Sequence, residues 1–129
     1  MSGILLVTGA AGGLGRCVVQ RAQVKFPDWR IVAVGRDAAK LAAHCAGATQ
    51  VVADVSTFEG AKTAVDACIS TYGANPTALA HCVGNIVLAP AARTTEAQYR
   101  DVLRANLDSA FFTFSAFTAA ARAANTSAA

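Results

Sequence analysis

A short apolar run, ILLVT (Ile4–Thr8), empties into GAAGGLG (Gly9–Gly15) and then into a segment whose apolar residues step at helical spacing. A continuous apolar run bounded by glycine fits a strand buried on both faces. So little side chain at the junction demands a backbone reason. Gly9 allows a sharp turn out of the strand, and Gly13 omits a side chain that would bar a pyrophosphate from the backbone amides. Gly15 lets the following helix pack close to the sheet. The free amides and dipole at a helix N-terminus favour an anion there.

The rest of the chain repeats this alternation. The first helix is predicted over about Gly13 to Lys25, with Leu14, Cys17, Val18 and Ala22 on its apolar face and Pro27 closing it. RIVAVG (Arg30–Gly35) reads as a second strand, and the helix after it has Asp37 near its start and Gly47 at its end. TQVVADV (Thr49–Val55) reads as a third strand. Ser56 and Glu59 have capping-box spacing for a helix with Phe58, Ala61, Val65, Cys68 and Tyr72 inward, ended by Gly73. TALAHCVG (Thr77–Gly84) supplies a fourth strand. Thr95 and Gln98 then cap a long helix whose expected stripe is Tyr99, Leu103, Leu107, Ala110, Phe114 and Phe117, and the alanine-rich end from Ala119 is expected to fray. Strands alternating with helices predict an α/β fold of Rossmann type, a parallel sheet with helices on both faces. Right-handed crossovers give the strand order 3-2-1-4. Residues 1–129 read as a single dinucleotide-binding domain with no internal repeat or linker.

Composition removes several alternatives. The net charge of +3 is scattered, without a basic stripe interleaved with aromatics, which argues against nucleic acid. No apolar run reaches the roughly 18 residues of a membrane span, and no secretory leader is visible. Cys17, Cys45, Cys68 and Cys82 lie far apart without a Cys-x-x-Cys pair, so reduced thiols in a cytoplasmic protein are expected and a metal site is not.

The spacing Thr8-Gly9-x-x-x-Gly13-x-Gly15 resembles the cofactor loop of the short-chain dehydrogenase/reductase family, Thr-Gly-x3-Gly-x-Gly, at every fixed position. Asp54-Val55 resembles the family's adenine-contacting pair. Gly84 falls where the family has Asn-Asn-Ala-Gly, and RANLDSAFF resembles the segment that carries its catalytic asparagine. The resemblance implies cofactor contacts at Thr8, Gly9, Gly12, Gly13, Leu14, Gly15, Arg36, Asp54, Val55, Val83 and Gly84, and makes Asn106 the surviving member of the catalytic set. It further implies reduction of carbonyls or oxidation of alcohols. Arg36, directly after the second strand, favours the 2′-phosphate of NADP over the ribose of NAD, with Asp37 read as a helix cap. His81-Cys82-Val83 depart from the family's Asn-Asn-Ala, and His81 is read as filling a near-buried site at the strand end rather than as an acid-base residue.

The family's proton-transfer pair, a tyrosine followed four residues on by a lysine, is missing. Pro76 follows Tyr72 and Leu103 follows Tyr99 at that spacing, and Ser109 and Ser115 lie within a helix, not at a strand end. The expectation is therefore the cofactor-binding half of an NADP-dependent oxidoreductase, truncated before a fifth strand and inactive alone. The competing expectations are a non-catalytic dinucleotide- or partner-binding module and a non-functional remnant. An open sheet edge beside Phe111, Phe112, Phe114 and Phe117 predicts self-association or a completing chain. The substrate stays open, since the apolar VGNIVLAP loop points only weakly to an apolar one.

Overall fold

The four apolar runs become four strands of one parallel sheet in a computed structural model that describes residues 2–127. β1 (Ile4–Thr8), β2 (Arg30–Gly35), β3 (Thr49–Val52) and β4 (Ala78–His81) lie in the order β3-β2-β1-β4. Leu6 stands opposite Val32 on one side and Leu79 on the other, which sets the register of the central strand. Helices α1 (Gly13–Lys25), α2 (Ala38–His44), α3 (Phe58–Tyr72), α4 (Glu96–Leu103) and α5 (Ser109–Ser127) complete the alternation, and α4 joins α5 through a π-helical turn, Arg104–Asp108.

Strand periodicity explains why the apolar runs are unbroken. Leu6, Val32 and Val34 point to one face, against Ala61, Val65 and Cys68 of α3 and Phe112 and Ala116 of α5. Val7, Ile31 and Ala33 point to the other, against Val19 and Ala22 of α1 and Leu41 of α2. Each buried Leu, Val or Ile among them contributes about 1.5–3 kcal/mol, and a strand covered on both faces has no position to spare for a polar residue without a partner.

Several sequence expectations are corrected in detail. The inward face of α1 is Gly15, Val19 and Ala22, and Leu14 and Cys17 are exposed. β3 stops at Val52 rather than Val55 because Asp54 turns away from the ladder: its carboxylate accepts from the Ser56 amide (3.0 Å) and hydroxyl (2.6 Å). Ser56 is thus occupied, and Thr57 caps α3 by accepting from the Gly60 amide at 3.0 Å, without the Ser56–Glu59 box. α2 ends at His44, with Gly47 in the turn beyond it at φ +82°. β4 closes at His81, extended by one further bond from the Cys82 amide to the Thr8 carbonyl. The alanine-rich stretch continues α5 as helix to Ser127, and the expectation for residues 128–129 lies outside the described residues.

The largest correction concerns the long helix. The Thr95–Gln98 capping box forms as expected. Half of the expected apolar stripe faces away from the core: Tyr99, Leu107 and Phe114 are exposed, as is Phe111 at 65%, and Leu103, Ala110 and Phe117 are half-buried. Ser109, Phe112, Thr113, Ala116 and Ala120 face inward instead. The π turn inserts one residue, which rotates every later position by about 100° relative to a continuous α-helix.

Candidate functional site

The C-terminal ends of β1, β2 and β4 meet at the glycine loop. Gly9 leaves β1 at φ +65°, a backbone that side chains rarely adopt, and a Cβ there would stand 2.5 Å from the Cys82 carbonyl oxygen. The Gly12 amide closes the turn onto the Gly9 carbonyl at 3.1 Å. A Cβ at Gly15 would land on that same carbonyl, so Gly15 lets α1 close against its own loop rather than against the sheet. A Cβ at Gly13 would meet nothing within 4 Å. No side chain caps α1, which leaves its first-turn amides to solvent or to an anion.

Beside this loop lies a cleft of ≈ 260 Å³ lined by Gly9, Arg36, Asp54, Val55, Val83, Gly84 and Asn85, with Asp101 and Arg104 from the long helix. Asp54 is held as a carboxylate. The Ser56 hydroxyl is the main cause of its lowered pKa, and Arg36 and Arg104 contribute through their charge. An adjoining open pocket is lined by Ala11, Gly12, Gly35, Arg36, Asp37 and Lys40. Within it the Asp37 carboxylate accepts from the Lys40 amide at 3.1 Å as the N-cap of α2, the capping role expected of it.

Six of the expected contact residues therefore converge on the cleft: Gly9, Arg36, Asp54, Val55, Val83 and Gly84. Gly12 lines the adjoining pocket, and Leu14 stands 69% exposed on the first turn of α1. Thr8 and Gly15 are buried behind the loop, and neither lines the cleft. The Thr8 hydroxyl meets His81 Nδ1 at 2.7 Å.

Asn106 sits in the π turn and ties the loop after β4 to the long helix. Its Nδ2 donates to the Asn85 carbonyl and the Val102 carbonyl, both at 2.9 Å, and its Oδ1 accepts from the Asn85 amide at 3.3 Å. Gly84 is what permits the approach, since a Cβ there would stand 2.7 Å from Asn106 Oδ1. Sequence reasoning missed Lys40, Ser56 and Arg104. Lys40 was findable, because it follows Arg36 by four residues at the opening of a helix. Arg104 enters through the π turn, which leaves no pattern in the sequence.

A sequence model described as short chain dehydrogenase matches residues 3–127. No curated protein matches the chain. Among solved structures, it is similar to a Burkholderia xenovorans protein assigned to the short-chain dehydrogenase/reductases, with 26% identity and a TM-score of 0.82 over 92% of this chain and 50% of that one. Actinorhodin polyketide ketoreductase, solved with NADPH, shares 23% identity with a TM-score of 0.81 over 90% of this chain and 46% of its own. The aldohexose dehydrogenase of Thermoplasma acidophilum shares 17% identity with a TM-score of 0.80, over 92% and 44% of the respective chains. The chain thus spans about half the length of these structures. With the family match running over nearly all of its residues, the chain belongs to the short-chain dehydrogenases.

Proposed function

We propose that residues 1–129 act as one NADP-binding unit of an oxidoreductase that reduces carbonyls or oxidises alcohols. The observation that carries the choice of cofactor is the pocket beside the glycine loop. Arg36 and Lys40 both line it, and the one carboxylate there, Asp37, is engaged as a helix cap. A 2′-phosphate would meet two cations in that pocket, and Arg36 can pair with it bidentately. The open space at Gly13 and the uncapped first turn of α1 fit a pyrophosphate. Asp54 and Val55 fit the adenosine end, and Val83 and Gly84 the nicotinamide ribose.

Bound nicotinamide supplies hydride chemistry. This chain's residues bind the cofactor's phosphates, hold Asp54 ionised against the adenosine, and fix the loop after β4 through Asn106. Asn106 is the one family catalytic position present, and it acts here as an anchor for the Asn85 backbone. No tyrosine in these residues has a lysine four positions on, so binding without turnover is expected of them alone. The proposal extends to self-association or a completing chain, supported by the exposed Leu107, Phe111 and Phe114. It also extends to a cytoplasmic setting, supported by four free thiols. Among the described residues no helix is long and apolar enough to cross a membrane.

Fluorescence titration with NADPH and NADH tests this reading. The wild-type chain should prefer NADPH. Arg36→Ala and Lys40→Ala should each weaken NADPH by about tenfold, the worth of one charge-assisted contact of roughly 1.5 kcal/mol, and leave NADH nearly unchanged. Equal affinity for both cofactors would overturn the assignment of NADP.

A further inference from the structure

His81 stands at the end of β4, half-buried, and its two ring nitrogens face different elements. Nδ1 lies 2.7 Å from the hydroxyl of Thr8 on β1, and Nε2 lies 3.2 Å from the hydroxyl of Ser109 on α5. The protonation pattern follows from the rest of the chain of bonds. The Ser109 hydroxyl donates its only hydrogen to the Ala105 carbonyl at 2.6 Å, so towards His81 it can only accept. Nε2 must then carry the hydrogen, and Nδ1 must accept from the Thr8 hydroxyl.

We infer that neutral His81 is a positioning residue that fastens Thr8, directly before the Gly9 turn, to the long helix, and that protonating it loosens the cleft and weakens dinucleotide binding. The coupling to binding rests on the reading of the cleft given above.

The geometry explains the cost of a proton. Added to Nδ1, it places a donor against the Thr8 hydroxyl, whose own hydrogen then needs another acceptor. Thr8 is fully buried. The groups facing the imidazole are Thr8 from β1, Ser109 from the start of α5 and the Phe114 ring at 6.1 Å, and none is charged. The adjacent titratable group in the chain is Cys82, whose thiol burial pushes up. Burial alone lowers the pKa of His81, with no charge contributing. A lowered folded-state pKa means that the unfolded chain binds the proton more readily. The bridge is therefore intact above the unfolded histidine value of about 6.5, and its stabilisation is lost as pH falls below it.

The test compares the wild-type chain with His81→Asn between pH 5 and pH 8. Without ligand, the wild-type unfolding midpoint should fall below about pH 6.5 relative to that of the variant. NADP+ affinity should drop at least threefold more in the wild type than in the variant over the same interval. The ligand's own phosphate titrates near 6 in both proteins, so the difference between them is the readout. Ring nitrogen NMR of the wild type should show the Nε2–H form at neutral pH, and Ser109→Ala should abolish that preference, an arm that holds even where His81→Asn fails to fold. Parallel pH profiles, or an Nδ1–H ring in the wild type, would overturn the inference. Absence of NADP+ binding at every pH would remove the coupling together with the cleft reading, while the ligand-free midpoints and the NMR still decide the bridge.

Discussion

Single atoms decide much of this site. Gly15 has no Cβ because the Gly9 carbonyl occupies its place, and the Asp54 carboxylate closes a turn at the end of β3 by accepting from both the amide and the hydroxyl of Ser56. Gly9 and Gly15 were legible because backbone closeness at those two positions excludes every other residue. The Asp54–Ser56 turn was not, because a carboxylate four residues before a helix reads equally as strand end or local turn. Thr113 is the one described residue whose buried side-chain oxygen lacks a partner. Replacing it with the isosteric valine removes an unpaired hydroxyl, and Thr113→Val should raise stability by about 1 kcal/mol. Urea unfolding measures this, and a loss of stability would show that the hydroxyl is satisfied in solution.

Among the elements, strands were read more surely than helix faces. Four apolar runs bounded by glycine or proline became four strands, and α1 ran from Gly13 to Lys25 as its apolar spacing indicated. Helix faces are inferred by counting in steps of 3.6, and one inserted residue defeats the count. The π turn at Arg104–Asp108 did so, exposing Phe111 and Phe114 and turning Ser109 and Thr113 inward. The same turn presents Asn106 to the loop after β4. Asn106→Ala should therefore free the Asn85 amide to solvent, with a stability cost of roughly 0.5–1.5 kcal/mol, since water can reach this exposed site. Amide hydrogen exchange should show faster exchange at Asn85 while β1 and β2 remain protected. Unchanged protection of Asn85 would count against an anchoring role.

For the molecule as a whole, the apolar patch of Leu107, Phe111 and Phe114 lies outside the core clusters that unite the sheet and its helices. An apolar surface of this kind favours association. Sedimentation at tens of micromolar should reveal dimers or larger species, and Phe111→Glu should shift the chain towards monomer. A wild-type monomer at that concentration would refute the idea. The contact between the ends of β1 and β4 carries a different kind of consequence. The glycine loop is written in one continuous stretch, yet Thr8 meets His81 across 73 residues of chain. Local helices form in microseconds, whereas a contact of such separation waits on the closure of a long loop. The glycine loop is spelled first and finished late: α1 can wind early in folding, but its N-terminal end acquires a shape only when β4 arrives.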